Sequence, residues 1–151
     1  MFFSGIISFV IILIDQISKF VVSSTFTAET QITLIPKVLR LIYVKNTGAA
    51  FSILSEHVEI LGIVSALFSV LMVLYVIKTK PTHPLHKISI SLIFAGAVGN
   101  GIDRLIRGYV IDFIETIFIE FPVFNIADIS ITVGAILLII YMIFYEKSEA
   151  K

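Results

Sequence analysis

The sequence predicts a small all-α membrane protein with four transmembrane helices, a β-rich unit at the membrane surface and one domain spanning residues 1–151. Composition points there first: 58% of residues are hydrophobic and the mean hydropathy is +1.04, against about 45–50% apolar residues in soluble domains. Charged residues make up only 15%, too few to cover the surface of a soluble domain of this size. Four apolar stretches, residues 2–22, 60–77, 88–106 and 129–145, each approach the ~20 residues that carry a helix across ~30 Å of hydrocarbon.

The first stretch differs from a cleavable signal peptide. No Lys or Arg precedes it, and Asp15 and Lys19 interrupt the place where an uncharged core belongs. It is expected to be a retained helix. Residues 25–59 are mixed in character, and Val38-Leu-Arg-Leu-Ile-Tyr-Val44 is β-branched and aromatic, with a turn-like Asn46-Thr-Gly48 behind it. The β-rich unit is therefore expected near 25–59. Residues 78–87 are basic and punctuated by Pro81 and Pro84, so they predict a tight loop between spans two and three. Residues 107–128 carry a turn at Arg107-Gly108, then Phe113, Phe118, Phe121 and Phe124, with Pro122 among them. Extended structure at the interface is expected there.

Four spans place both chain ends on one side with the basic loop, and 25–59 with 107–126 on the other. Charge counting barely names the sides: Lys78, Lys80, Lys87, Lys147 and Lys151 oppose Lys37, Arg40, Lys45, Arg104 and Arg107. Zero formal net charge gives no basic excess for a phosphate backbone, so no nucleic-acid partner is expected. Without cysteine there is no disulfide, thiolate metal site or Cys nucleophile. No metal and no cofactor is expected.

Ionisable groups inside spans cost at least about 2.5–3.5 kcal/mol each, so each marks a candidate site or a buried pair. Asp15 and Lys19 stand one helical turn apart, acid first, the favourable order for an ion pair on one face. A structural pair is the default reading. Asn100, Asp103 and Arg104 crowd one side of the third span's end, and Ala95, Gly96, Ala97 and Gly99 before them permit close helix contact. Arg104 reads equally as a snorkelling interfacial base or as part of the site.

Asp112 follows the third span and Asp128 begins the fourth, so both lie at the same membrane face, and the 15 residues between them are enough to fold back. Asp128 sits where the helix macrodipole favours negative charge, and Asn125 is placed to cap that helix or to bond the site. Either acid alone reads as a cap. Together they offer a distinct chemistry: two neighbouring carboxylates share one proton, so one activates water while the other donates to a carbonyl.

The stretches Asp15-Gln-Ile-Ser-Lys19, Asn46-Thr-Gly-Ala-Ala-Phe51, Gly99-Asn100-Gly-Ile-Asp103-Arg104, Gly108-Tyr-Val-Ile-Asp112-Phe113 and Phe124-Asn125-Ile-Ala-Asp128 resemble, in order, the motifs of bacterial lipoprotein signal peptidase, or signal peptidase II. The resemblance implies Asp112 and Asp128 as the catalytic dyad, with Asp15, Lys19, Asn46, Gly48, Asn100, Arg104, Asn125 and Ala127 lining or supporting the pocket. It also implies an extracytoplasmic β-cradle, both termini cytoplasmic, a place in the bacterial cell membrane, and an active site toward the outer face; a monomer is expected. The implied partners are membrane lipid and a diacylglyceryl-prolipoprotein, cut just before its lipidated cysteine.

Rival chemistries fit less well. A presenilin-type protease needs Gly-Xaa-Gly-Asp, whereas Gly99-Asn-Gly101-Ile-Asp103 is one residue out. A Ser-Lys peptidase needs a serine facing Lys19, and Ser18 points about 100° away. A small transporter or channel subunit with a polar pathway through Asp15, Lys19 and Arg104 is the alternative of a different class, but no internal repeat accompanies it. His57, His83 and His86 receive no role, and the last two are expected in solvent.

Overall fold

The computed structural model describes residues 2–48 and 57–145. Among them are seven elements: helix α1 (Phe2–Thr25), strands β1 (Ile32–Ile35) and β2 (Leu39–Asn46), helices α2 (Val58–Thr79) and α3 (Pro84–Arg107), strand β3 (Val110–Thr116) and helix α4 (Ile126–Phe144). All four helices are long and apolar enough to cross a membrane. Each lies on a predicted span, but the ends move, and local chemistry explains where. His83, extended, accepts from Leu85 N through its side chain and Pro84 takes the first helical turn, so α3 begins four residues before the predicted 88. The loop between α2 and α3 is correspondingly shorter than predicted. Gly108 ends α3 at φ +74, a left-handed cap that glycine adopts without a Cβ clash. Asn125 caps α4 in a reciprocal capping box with Asp128, which starts that helix at Ile126 and puts Asp128 in its first turn.

α3 is the central helix, packed against α1, α2 and α4. Small residues make that possible: a Cβ on Gly96 would lie 2.3 Å from Ala127 O, and one on Gly134 would lie 2.8 Å from Ser89 O. The other three helices show long apolar faces outward, such as Phe9 and Phe20 on α1 and Leu67 and Leu74 on α2. In water these would be a large exposed apolar surface; in lipid they are solvated.

The expected β unit is a three-stranded antiparallel sheet in the order β1-β2-β3. Residues 25–59 supply two strands, and the extended stretch after α3 supplies the third. Pairing Val44 with Asp112 and Asn46 with Val110 brings the Asn-Thr-Gly turn beside Asp112. Ile114 and Phe124 form a further bridge that turns the chain back toward α4. Behind the sheet, Ile111 and Phe113 pack on Val22 of α1, which fixes the sheet to the bundle.

Two histidines depart from the expectation of solvent exposure. His86 is buried, stacks on Tyr141 at 4.3 Å and lies 3.2 Å from Tyr75 Oη; His83 caps α3 and packs on Tyr145. Both became helix-associated because α3 starts earlier than hydropathy alone indicates. Ala49, Ala50, Phe51, Lys147 and Lys151 lie outside the described residues.

Candidate active site

Two polar assemblies meet at the sheet end of the bundle. The inner one starts with Lys19, fully buried on α1, whose ammonium lies 2.9 Å from Asp15 Oδ2 and 2.9 Å from Asp103 Oδ2. The predicted pair is thus a triad, and Asp103 also pairs with Arg107 and accepts from Ile111 N at 3.3 Å. Asp103 was absent from the residues implied for the pocket. Its spacing from Arg107, one helical turn, was the available signal. Asp15 Oδ1 accepts from Ala127 N at 3.0 Å, tying α1 to the first turn of α4, and Ala127 is itself fully buried.

The outer assembly holds Asp112 and Asp128. Asn125 is common to both: its Nδ2 donates to Asp112 Oδ1 at 2.7 Å, and its backbone N–H donates to Asp128 Oδ2 at 3.1 Å. Capping the helix and bonding the site, the two alternatives for Asn125, are one arrangement. Asn46 Nδ2 donates to Asp112 Oδ2 and Asn100 Nδ2 to Asp128 Oδ1, each at 2.8 Å. Gly48 N–H donates to Asn46 Oδ1 at 2.9 Å, closing the turn that aims Asn46. Burial pushes the Asp112 carboxyl up to about 6; the amide donors of Asn46 and Asn125 oppose the rise and the neighbouring Asp128 charge adds to it.

Both acids, with Asn46 and Arg104, line a cavity of about 880 Å³. Arg104 donates to Gly48 O at 3.3 Å, and its Nε is buried without a partner among the described residues. The lining also has an apolar part, which includes Phe121, Phe124 and the α4 residues Ile129 and Val133. The sequence places Phe121 and Phe124 in an extended interfacial run but gives none of these residues a place in the site, because an apolar side chain near a span end reads as lipid-facing.

Every residue predicted for the site falls in one of the two assemblies except Arg104, which lines the cavity and bonds Gly48 O. Ser18 does not join them: its hydroxyl donates to Asp15 O of its own helix at 2.7 Å, as the Ser-Lys argument expected. No group of three or more potential metal ligands occurs among the described residues.

Residues 7–144 match the family model for signal peptidase II. Lipoprotein signal peptidases of Staphylococcus carnosus and Staphylococcus haemolyticus are 41% and 38% identical, over 95% and 93% of this chain and 91% and 90% of those proteins. A bacterial membrane enzyme solved in meso at 2.3 Å resolution superposes with TM-score 0.91 at 37% identity, covering 100% of this chain and 93% of that one. A second, at 1.9 Å, gives 0.87 at 37% identity over 96% and 95%.

Proposed function

Because the chain belongs to the signal peptidase II family, multi-pass membrane peptidases that remove signal peptides from prolipoproteins, we propose that it does so as an aspartic endopeptidase, with Asp112 and Asp128 as its dyad. The observation that carries this reading is Asn125, one side chain and one N–H that hold both acids on the wall of one cavity. Two carboxylates so placed perform hydrolysis without a covalent intermediate. Asp112, raised to about 6 by burial, carries the shared proton. Asp128, in the first turn of α4 where the macrodipole stabilises negative charge, is the base.

In this mechanism Asp128 takes a proton from a water as its oxygen attacks the scissile carbonyl, and Asp112 donates its proton to the carbonyl oxygen. The tetrahedral diol then collapses: the C–N bond breaks, the leaving amine takes the proton held by Asp128, and a diol hydroxyl returns one to Asp112. The new amine is that of the substrate's lipidated cysteine. Ile129 and Val133 line the cavity and are exposed on the apolar membrane-spanning helix α4. A diacylglyceryl group can therefore enter sideways with its chains still in hydrocarbon, keeping ~0.8 kcal/mol per buried CH₂. The sheet and dyad then face outward and both termini the cytoplasm.

The test uses purified protein in lipid nanodiscs with a diacylglyceryl lipobox peptide. Mass spectrometry should show a single cut before the lipidated cysteine. Asp112→Asn and Asp128→Asn should each lack it, and turnover by either would overturn the dyad.

A further inference from the structure

The three asparagines around the dyad share one feature. In each, the oxygen end is occupied by a group that can only donate, which leaves the nitrogen end for a carboxylate. Gly48 N–H donates to Asn46 Oδ1 and Asp128 N–H donates to Asn125 Oδ1, so those two amides are oriented by backbone. The third differs. Asn100 Oδ1 accepts from the Lys19 ammonium at 2.9 Å and from Asn125 Nδ2 at 3.1 Å, while its Nδ2 reaches Asp128 Oδ1 at 2.8 Å.

An ammonium has three protons and no acceptor, and the acceptors around Lys19 are Asp15, Asp103 and Asn100, one for each proton. Lys19 is fully buried and absent from the cavity wall, so its one hydrogen-bonded link toward the dyad is Asn100, beside the through-space pull of its charge on Asp112. We propose that Lys19 is a positioning residue of the active site, its ammonium fixing the Asn100 amide so that Nδ2 faces Asp128.

Without the ammonium, the Asn100 oxygen is held only by the longer 3.1 Å bond from Asn125 Nδ2, which also serves Asp112, and the amide can turn that oxygen toward Asp128. That exchanges a donor for an acceptor next to the group that must be ionised. The charged groups around this line are Asp15 on α1, Asp103, Arg104 and Arg107 on α3, Asp112 on β3, Asp128 on α4 and Lys45 on β2. Asp15 and Asp103 pair with Lys19 itself, so the amide is the link from Lys19 to the dyad that its hydrogen bonds supply.

The inference rests on the dyad reading, and its experiment separates the two. The charge-balanced variant Lys19→Met with Asp15→Asn leaves Asp103 paired with Arg107. With a lipidated peptide, kcat should fall roughly ten- to a hundredfold, the range for losing a hydrogen bond to a charged group, while KM stays within about twofold because no cavity group is lost. The acid limb of the kcat profile should move up by about one pH unit, since a carboxylate without its donor keeps its proton to higher pH. Lys19→Arg, which still only donates, should restore the wild-type limb.

Should the double variant fail to fold, Asn100→Asp keeps an acceptor for Lys19 and withdraws the donor from Asp128. Its acid limb should move up at least as far. An unmoved acid limb in a folded variant overturns the positioning role. Residual turnover in Asp112→Asn or Asp128→Asn instead overturns the dyad.

Discussion

The inner and outer polar assemblies each hold two aspartates, yet they balance charge in opposite ways. Inside the bundle, Asp15 and Asp103 meet Lys19 and Arg107, two acids against two bases. At the cavity, Asp112 and Asp128 receive only neutral amide and backbone donors, with no Lys or Arg ion pair among the described residues. A buried acid that is neutralised by a base is fixed in one state. One that is held by neutral donors beside a second acid keeps a proton free to exchange at useful pH. The contrast supports the proposed division of structure to the first assembly and chemistry to the second.

The largest expected effect falls on the cavity side. Asp112→Asn or Asp128→Asn should lower kcat/KM about a thousandfold or more, as loss of general acid or base catalysis does, with insertion retained. The matching substitution inside, Asp15→Asn, should retain far more activity, because Lys19 still has Asp103. Equal losses of activity in both assemblies would erase the distinction.

Stability should show the reverse order. Lys19→Met strands the buried Asp15 carboxylate, Asp103 keeping Arg107, and should cost about 3–5 kcal/mol in a melting or denaturant series. Adding Asp15→Asn should recover part of that loss. Additive costs in this cycle would mean that the two residues do not interact in the folded protein.

Packing between the assemblies offers a smaller test. A Cβ on Gly99 would lie 2.6 Å from Asp15 Oδ2, a carboxylate held by Lys19 and unable to swing away. Gly99→Ala should therefore destabilise by about 1–3 kcal/mol, the usual cost of overpacking. Gly5→Ala on the same bundle meets nothing within 4 Å and should be neutral or stabilising by up to about 1 kcal/mol. Two alanines of equal effect would show that the contact at Gly99 yields at no cost.

The sequence disclosed what depends on spacing within one element. The four spans, the strand around 38–44 and the Asp15–Lys19 pair all follow from local composition or from one-turn spacing, and all are present, the strand starting at Leu39. What it hid depends on contacts between elements. The bond from Lys19 to Asp103 joins α1 to α3 across a gap set by Gly99, and no local pattern announces it. β3 became the third strand because Asp112 pairs with Val44, far away in sequence. His86 was misread because hydropathy averages over a window, whereas one capping side chain three residues earlier decides where α3 starts.

The smallest effect expected concerns Arg104, which belongs fully to neither assembly. It lines the cavity, and its positive charge acts on Asp112, Asp128 and Asp103 alike. The alkaline limb of kcat/KM reports loss of the shared proton in the free enzyme, and for Asp112 that falls near 6. A nearby cation favours the ionised carboxylate and so holds the limb down. Arg104→Gln removes the cation, the proton is kept to higher pH, and the limb should rise by about one pH unit or less. Arg104→Lys keeps the charge and should leave the limb near its original place, even if the bond to Gly48 O is lost. The limb for kcat should lie above that for kcat/KM in every variant, because bound lipid further desolvates the carboxyl. A limb that stays fixed in Arg104→Gln would place Arg104 with the structural cluster. A wild-type profile that climbs through neutral pH with no alkaline limb at all would rule out a shared proton, and with it the chemical reading of the outer assembly.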